Sequence, residues 1–153
     1  MKIVVFDDDP TGSQSVYGCP LVLNWEEEII DKAIIQPSKL LFLLANTRSL
    51  NPHQAELRTR KVCNAFKESA SRKGINLQDV LFVSRGDSTL RGHGILEPEI
   101  IHQELGPFDA TFHVPAFLEG GRTTRNGIHF LNNCPVHLTD FASDQIFGYS
   151  KSF

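Results

Sequence analysis

The feature that most constrains this chain is a repeated order: a short unbroken apolar run, a polar tip, then a segment with helical spacing. Residues 3–6 are continuously apolar and largely β-branched, and they break at once into Asp7, Asp8, Asp9, Pro10, Thr11 and Gly12. A run without polar alternation reads as a strand buried on both faces, and the break reads as its terminal turn. Residues 25–35 read as a helix, because Asn24 can cap it, Glu26, Glu27 and Glu28 favour the positive end of its dipole, and Ile30, Ala33 and Ile34 share a face. A second apolar run, 39–45, closes in Asn46-Thr47-Arg48-Ser49. A Pro52-led helix follows, with Ala55, Val62, Phe66 and Ala70 at helical spacing and Gly74 as its stop. The order recurs as a strand at 80–84, the tip Arg85-Gly86-Asp87-Ser88 and a helix near 95–105, and again as a strand at 110–114 before a glycine-rich stretch.

Such alternation predicts an α/β fold: a largely parallel sheet with helices on both faces, since each crossover must return the chain to the same end of the next strand. In sheets of this kind the ligand crevice lies at the carboxyl ends of the strands. Those ends carry 7–12, 46–49, 85–92 and the stretch around 119–122. With 153 residues and neither an internal repeat nor a linker, 1–153 is expected to be a single domain. Phe147 to Phe153 adds no closing element, so we expect one domain of something longer.

A formal charge of -3 denies the chain the uniformly basic surface that holds phosphates, so neither nucleic acid nor anionic membrane is an expected partner. No apolar run reaches the roughly 18 residues of a bilayer span. The start turns acidic where a signal peptide would place its cleavage site, and a cytoplasmic location is expected. Cys19, Cys63 and Cys134 are odd in number and far apart, which reads as reduced thiols, with Cys63 and Cys134 in apolar settings. The six histidines form no HxH or HExxH pattern, so no metal site is expected; His93 alone falls inside a candidate segment. No GxSxG elbow, GxxxxGK[ST] loop or GxGxxG fingerprint is present, so no nucleotide-phosphate cradle is visible in this chain.

At the tips, three consecutive carboxylates raise one another's pKa unless cations or donors offset them. Arg48, Arg85, Arg91 and Arg122 sit in polar segments beside small residues, as guanidinium groups that bind carboxylate or phosphate bidentately would. Asp87-Ser88-Thr89 ahead of Arg91-Gly92 offers hydroxyls and amides near a helix start, suited to an anionic or polyhydroxylated ligand. Each feature also has a plain structural reading: a solvated acidic turn, surface arginines, a helix cap at Asp87 or Ser88, and turn glycines at Gly120, Gly121 and Gly127.

Taken together, the blocks Asp7-Asp8-Asp9-Pro10-Thr11-Gly12-Ser13-Gln14, Asn46-Thr47-Arg48-Ser49, Ser84-Arg85-Gly86-Asp87-Ser88-Thr89-Leu90-Arg91-Gly92-His93 with Glu97, and Pro115-Ala116-Phe117-Leu118-Glu119-Gly120-Gly121-Arg122 resemble the N-terminal domain of the four-carbon acid sugar kinase family. The resemblance implies an α/β domain that holds threonate, erythronate or a 3-oxo-tetronate. It also implies a C-terminal ATP-binding domain, on the same or a separate polypeptide, with phosphate transferred to the terminal sugar hydroxyl. It assigns Asp8 and Asp9 to catalysis, and Arg48, Arg85, Asp87, Ser88, Arg91, Gly92, Glu97, Gly121 and Arg122 to the sugar acid, with no metal ligand in this chain. ATP and Mg2+ would serve the full enzyme, with neither expected tightly bound here; by itself this chain would be inactive, and a homo-oligomer is compatible with the sequence. Pro10, Ser13 and Arg85 stand where many members carry leucine, alanine and lysine, which marks a subgroup.

Two other readings use the same residues. A hydrophobic strand ending Asp7-x-Asp9-x-Thr11 and a second ending in Thr47 mimic a haloacid-dehalogenase-type phosphatase with Asp7 as nucleophile and magnesium between the carboxylates. The later lysine and paired acidic motif of such an enzyme are not offered by the remaining tips. A non-catalytic sugar-acid-binding protein is the third reading.

Overall fold

Strand β1 (Lys2–Asp7) grows from the first apolar run and lies inside a four-stranded parallel sheet ordered β2–β3–β1–β4. Its neighbours are β3 (Leu40–Leu44) and β4 (Val80–Arg85), and β2 (Leu21–Val22) lies outside β3. The structure is a computed structural model and describes residues 1–151, apart from the side chain of Ser15. Helices α1 (Glu27–Ile34), α2 (Pro52–Arg72) and α3 (Leu96–Leu105) connect the strands. The expected α/β fold with a parallel sheet flanked by helices is therefore present.

The core forms on one face of the sheet. Val4, Phe6, Leu41 and Leu43 meet Ile30 and Ile34 of α1, Val62 and Phe66 of α2, and Ile101 and Leu105 of α3 in one buried cluster. Phe82 joins it edge-on to Phe66 with ring centroids 5.7 Å apart. Each fully buried large side chain contributes about 1.5–3 kcal/mol, and this cluster holds the helices to the sheet. The sequence predicts helices on both faces; all three pack on this one. The cause is β2, a two-residue strand too short to read from periodicity. After β1 the chain passes β3 to reach β2, so the crossovers β2–α1–β3 and β3–α2–β4 step in the same direction, and right-handed connections then place both helices on the same side.

The α2 boundaries follow their signals. The Asn51 side chain accepts a hydrogen bond from the Gln54 amide at 2.9 Å, Pro52 occupies the first turn, and Gly74 beyond the end takes φ +66°. Helix α1 starts two residues later than predicted, because Asn24 accepts from the Glu26 amide in a turn before the helix instead of capping it.

The predicted strand at 110–114 does not form, and Phe112 and Val114 are exposed. Its polar alternation through Thr111 and His113 leaves too little apolar surface on either face to offset about 1–2 kcal/mol of ordering entropy per residue. The stretch around 119–122 is likewise no parallel strand tip. It enters an antiparallel meander, β5 (Arg122–Arg125), β6 (Ile128–Leu131) and β7 (Cys134–Pro135), joined by turns with positive φ at Asn126-Gly127 and Asn132-Asn133. Cys63 is fully buried as read, whereas Cys134, read as apolar in setting, is exposed on the meander.

Candidate functional site

Parallel register brings the tips together. Asp7 stands opposite Arg85 of β4 and Leu44 of β3, so the acidic run, the Asn46–Ser49 tip and the Arg85–Gly92 loop leave the sheet side by side. Arg48 grips Asp8 with two bonds, Nε to Oδ2 at 3.0 Å and Nη2 to Oδ1 at 2.8 Å, and places Nη1 3.3 Å from Asp9 Oδ2. A fork-on-carboxylate pair of this kind is both strong and geometrically fixed. Burial pushes the Asp8 carboxyl above the ordinary range against the pull of Arg48. Asp9 stays below it: burial opposes ionisation, but the Thr11 hydroxyl and amide and the Arg48 charge outweigh it.

Asp7 is fully buried, and among the described residues neither carboxylate oxygen has a partner with hydrogen-bond geometry. Arg85 Nη1 lies 3.5 Å away, too far to satisfy it, and burial raises the Asp7 carboxyl to about 6. Gly12 is required beside it, since a Cβ there would fall 2.3 Å from Asp7 Oδ1. Glu97, at the start of α3, is 5% exposed; it accepts from the fully buried Thr47 hydroxyl, and burial raises its carboxyl to about 7.

The loop after β4 crosses these groups at Gly92, whose φ is +93° and whose absent Cβ would stand 3.3 Å from Asp8 Oδ2 and 3.4 Å from Arg48 Cγ. On its other side Arg91 Nε donates to Asp87 Oδ2 at 2.7 Å and to Thr89 Oγ1 at 3.1 Å. Burial works against the Asp87 charge, yet the bonds from Arg91 and Thr89 hold its carboxyl below the usual range. Among the described residues the terminal nitrogens of Arg91 carry no hydrogen bond, with Asp144 Oδ2 3.9 Å from Nη1 and the Phe141 ring 5.0 Å from Cζ. A cleft of about 520 Å3 opens beside this loop between the start of α2 and residues 146–149.

The family described as "sugar-binding N-terminal domain" matches residues 3–153. The chain belongs to this family. Among curated proteins, the D-erythronate kinase of Heliobacterium modesticaldum is 26% identical over 153 residues, covering 94% of this chain and 32% of that protein. Among solved structures, a domain of unknown function from Bordetella bronchiseptica, crystallised with citrate as a domain-swapped dimer, has a TM-score of 0.75 at 24% identity. It covers 99% of this chain and 38% of its own. A Haemophilus influenzae protein has a TM-score of 0.66 at 16% identity, over 99% and 36%. These two establish the fold. The sugar-binding domain thus spans about a third of the length of the relatives it matches.

Of the residues singled out in its sequence, Asp8, Asp9, Arg48, Arg85 and Gly92 form one contiguous group, with Asp87 and Arg91 adjoining it and Glu97 attached through Thr47. Arg91 pairs with Asp87 and not with Glu97 or Glu99. Arg122 comes near only indirectly: its Cζ lies 6.0 Å from the Phe141 ring that Arg91 also faces, and its Nη1 bonds Gly120 O. Gly121, at φ +72°, shapes the turn before β5. Ser88 contributes its backbone oxygen to His129 Nε2 at 2.7 Å. Sequence reasoning missed His129, Phe141, Asp144 and Tyr149 as site neighbours. His129 is fully buried and ties the meander to the Ser88 loop, with Nδ1 2.8 Å from Thr124 Oγ1, and Tyr149 donates to Thr89 O. Thr89, whose hydroxyl the sequence marks together with Asp87 and Ser88, sits between Asp87 and Arg91.

Proposed function

We propose that this chain supplies the sugar-acid site of an ATP-dependent kinase that phosphorylates the terminal hydroxyl of a four-carbon acid sugar of the threonate, erythronate or 3-oxo-tetronate type. The observation that carries the reading is the meeting, at Gly92, of two chemically different ends: carboxylates clamped by Arg48, and Arg91 with unspent donors. Kinship with a D-erythronate kinase supports the reaction class. Phosphoryl transfer asks of the sugar site alignment and a carboxylate near the hydroxyl proton. The Asp8–Asp9 pair, immobilised by Arg48, supplies that carboxylate, and Arg91 takes the acid end of the sugar. A cleft of about 520 Å3 adjoins this junction, lined there by Ser49, Leu90, Gly92 and His93.

ATP and Mg2+ belong, in this proposal, to the two thirds of such an enzyme that lie outside this chain, in a C-terminal domain. Asp8, Asp9, Asp87 and Glu97 are committed to arginines and hydroxyls, and among the described residues no three His, Cys, Asp or Glu side chains are grouped to hold a metal ion. No helix among them is long and apolar enough to cross a membrane, and we place the enzyme in the cytoplasm. The phosphatase reading is not favoured, because Asp7 is fully buried beneath Gly12 and a nucleophile must reach phosphorus.

Calorimetry tests the proposal. Titration with the stereoisomers of threonate and erythronate should give binding by one or more of them, and titration with ATP should give none. Tight ATP binding with no response to any sugar acid would overturn it.

A further inference from the structure

The arginines of the crevice are not equally free. Arg48 spends Nε, Nη1 and Nη2 on Asp8 and Asp9, and Arg85 faces Asp7 and Asp8. Arg91 and Arg122 instead face one another's surroundings through the segment 140–149, which no sequence motif marks. Phe141 presents its ring to both guanidinium groups, at 5.0 Å from Arg91 Cζ and 6.0 Å from Arg122 Cζ. Arg122 also keeps a buried Nε without a hydrogen-bond partner among the described residues. Two like charges over one ring repel unless an anion joins them, and a ring face orients guanidinium planes without using their N–H donors.

Arg91 Nε is already paired with Asp87 at 2.7 Å, and the anion that faces its terminal nitrogens is Asp144. Its Oδ1 accepts from the Ile146 and Phe147 amides at 2.8 and 3.0 Å, which fixes the carboxylate, while Oδ2 stops 3.9 Å short of Arg91 Nη1. It compensates the charge without forming the short bidentate pair that arginine makes with a free carboxylate. We infer that the segment 140–149 is the acid-end wall of the site: Phe141 is a positioning residue that aims Arg91 and Arg122 at a carboxylate, and Asp144 is a built-in competitor that the ligand carboxylate displaces. The inference rests on the sugar-acid reading for the identity of the ligand, and names which end of it this wall receives.

The test uses two variants and two probes, D-erythronate and succinate, with affinity measured by calorimetry and the Arg91 and Arg122 Nε–Hε signals followed by NMR. Asp144→Asn keeps the acceptor for both amides and removes the charge, so carboxylate affinity should rise about three- to tenfold, an outcome that structural damage does not produce. Phe141→Leu keeps the apolar bulk and removes the ring face, so affinity should fall by a similar factor with both Nε signals displaced. If D-erythronate binds wild type but Asp144→Asn does not tighten it, or Phe141→Leu leaves affinity intact, the inference is overturned and the sugar-acid reading stands. If succinate binds at the two arginines and tightens in Asp144→Asn while D-erythronate does not bind at all, the wall is real and the sugar is wrong. If neither probe moves the signals, both fall.

Discussion

Of the four arginines that the sequence marks, three stand at the strand ends and Arg122 approaches through Phe141, and the structure splits them into two pairs that differ in what they face. Arg48 and Arg85 answer the acidic run: Asp7 and Asp8 are buried, and without these guanidinium groups their charges would face only the interior. Arg91 and Arg122 sit further from the sheet, a quarter exposed in the case of Arg91, and lean on an aromatic ring with part of their hydrogen-bonding capacity unspent. A cation that completes a buried pair is a structural necessity, because removing it strands a carboxylate in low dielectric. A cation anchored through Nε, whose terminal nitrogens face only a ring and a loose neighbour, is poised for a ligand. Residue type alone did not distinguish the pairs; what each guanidinium faces does, the carboxylates of the acidic run for Arg48 and Arg85 and the Phe141 ring for Arg91 and Arg122.

The comparison breaks most visibly at Arg48. Arg48→Ala leaves Asp8 buried without its fork, and unfolding free energy in urea should drop by about 3–5 kcal/mol. Glu97 and Asp7 sharpen the same side through pH. Both carboxyls are raised, to about 7 and about 6, chiefly by burial, so the native state holds protons that the unfolded chain has already released. The stability tied to them is complete below the ordinary carboxyl range and is lost as pH rises through 6 and 7. The unfolding free energy in urea should therefore be higher at pH 5 than at pH 8, by an amount on the order of 2–3 kcal/mol, and Glu97→Gln should flatten the upper part of that slope. Smaller still is Gly92→Ala at the junction, where a φ of +93° and contacts of 3.3–3.4 Å cost about 1–3 kcal/mol and disturb the Asp8–Arg48 fork. At the far end, Arg91→Ala should change unfolding free energy by no more than about 1 kcal/mol, since its pair with Asp87 is partly solvated.

What the sequence disclosed depended on how local the signal was. The runs at 3–6, 39–45 and 80–84 became parallel strands because an unbroken apolar stretch has few other ways to be buried, and the Pro52 helix carried its own cap and stop. Hidden from it was β2, whose two residues carry no periodicity but reverse the side on which helices pack. The strand expected at 110–114 failed because its short apolar run is broken by Thr111 and His113, which leaves Phe112 and Val114 exposed. In the site, blocks adjacent in sequence to strand ends were legible, and the Asp8–Arg48–Gly92 contact follows from them. Phe141, Asp144 and His129 reach the crevice from the meander and the segment after it, across 41 or more residues of chain in the case of His129 and Ser88, and no spacing rule reports such an approach.

The division between the two pairs is tested most directly by calorimetric titration of D-erythronate into Arg91→Ala beside wild type. Loss of a charge-assisted pair with a carboxylate, worth roughly 1.5–3 kcal/mol, should weaken binding about ten- to a hundredfold while the urea midpoint moves little, and Arg91→Lys should recover only part of it. Wild-type affinity in Arg91→Ala, accompanied by a clear loss of stability, would show that Arg91 belongs with Arg48 among the arginines that hold the fold, and the division would not stand.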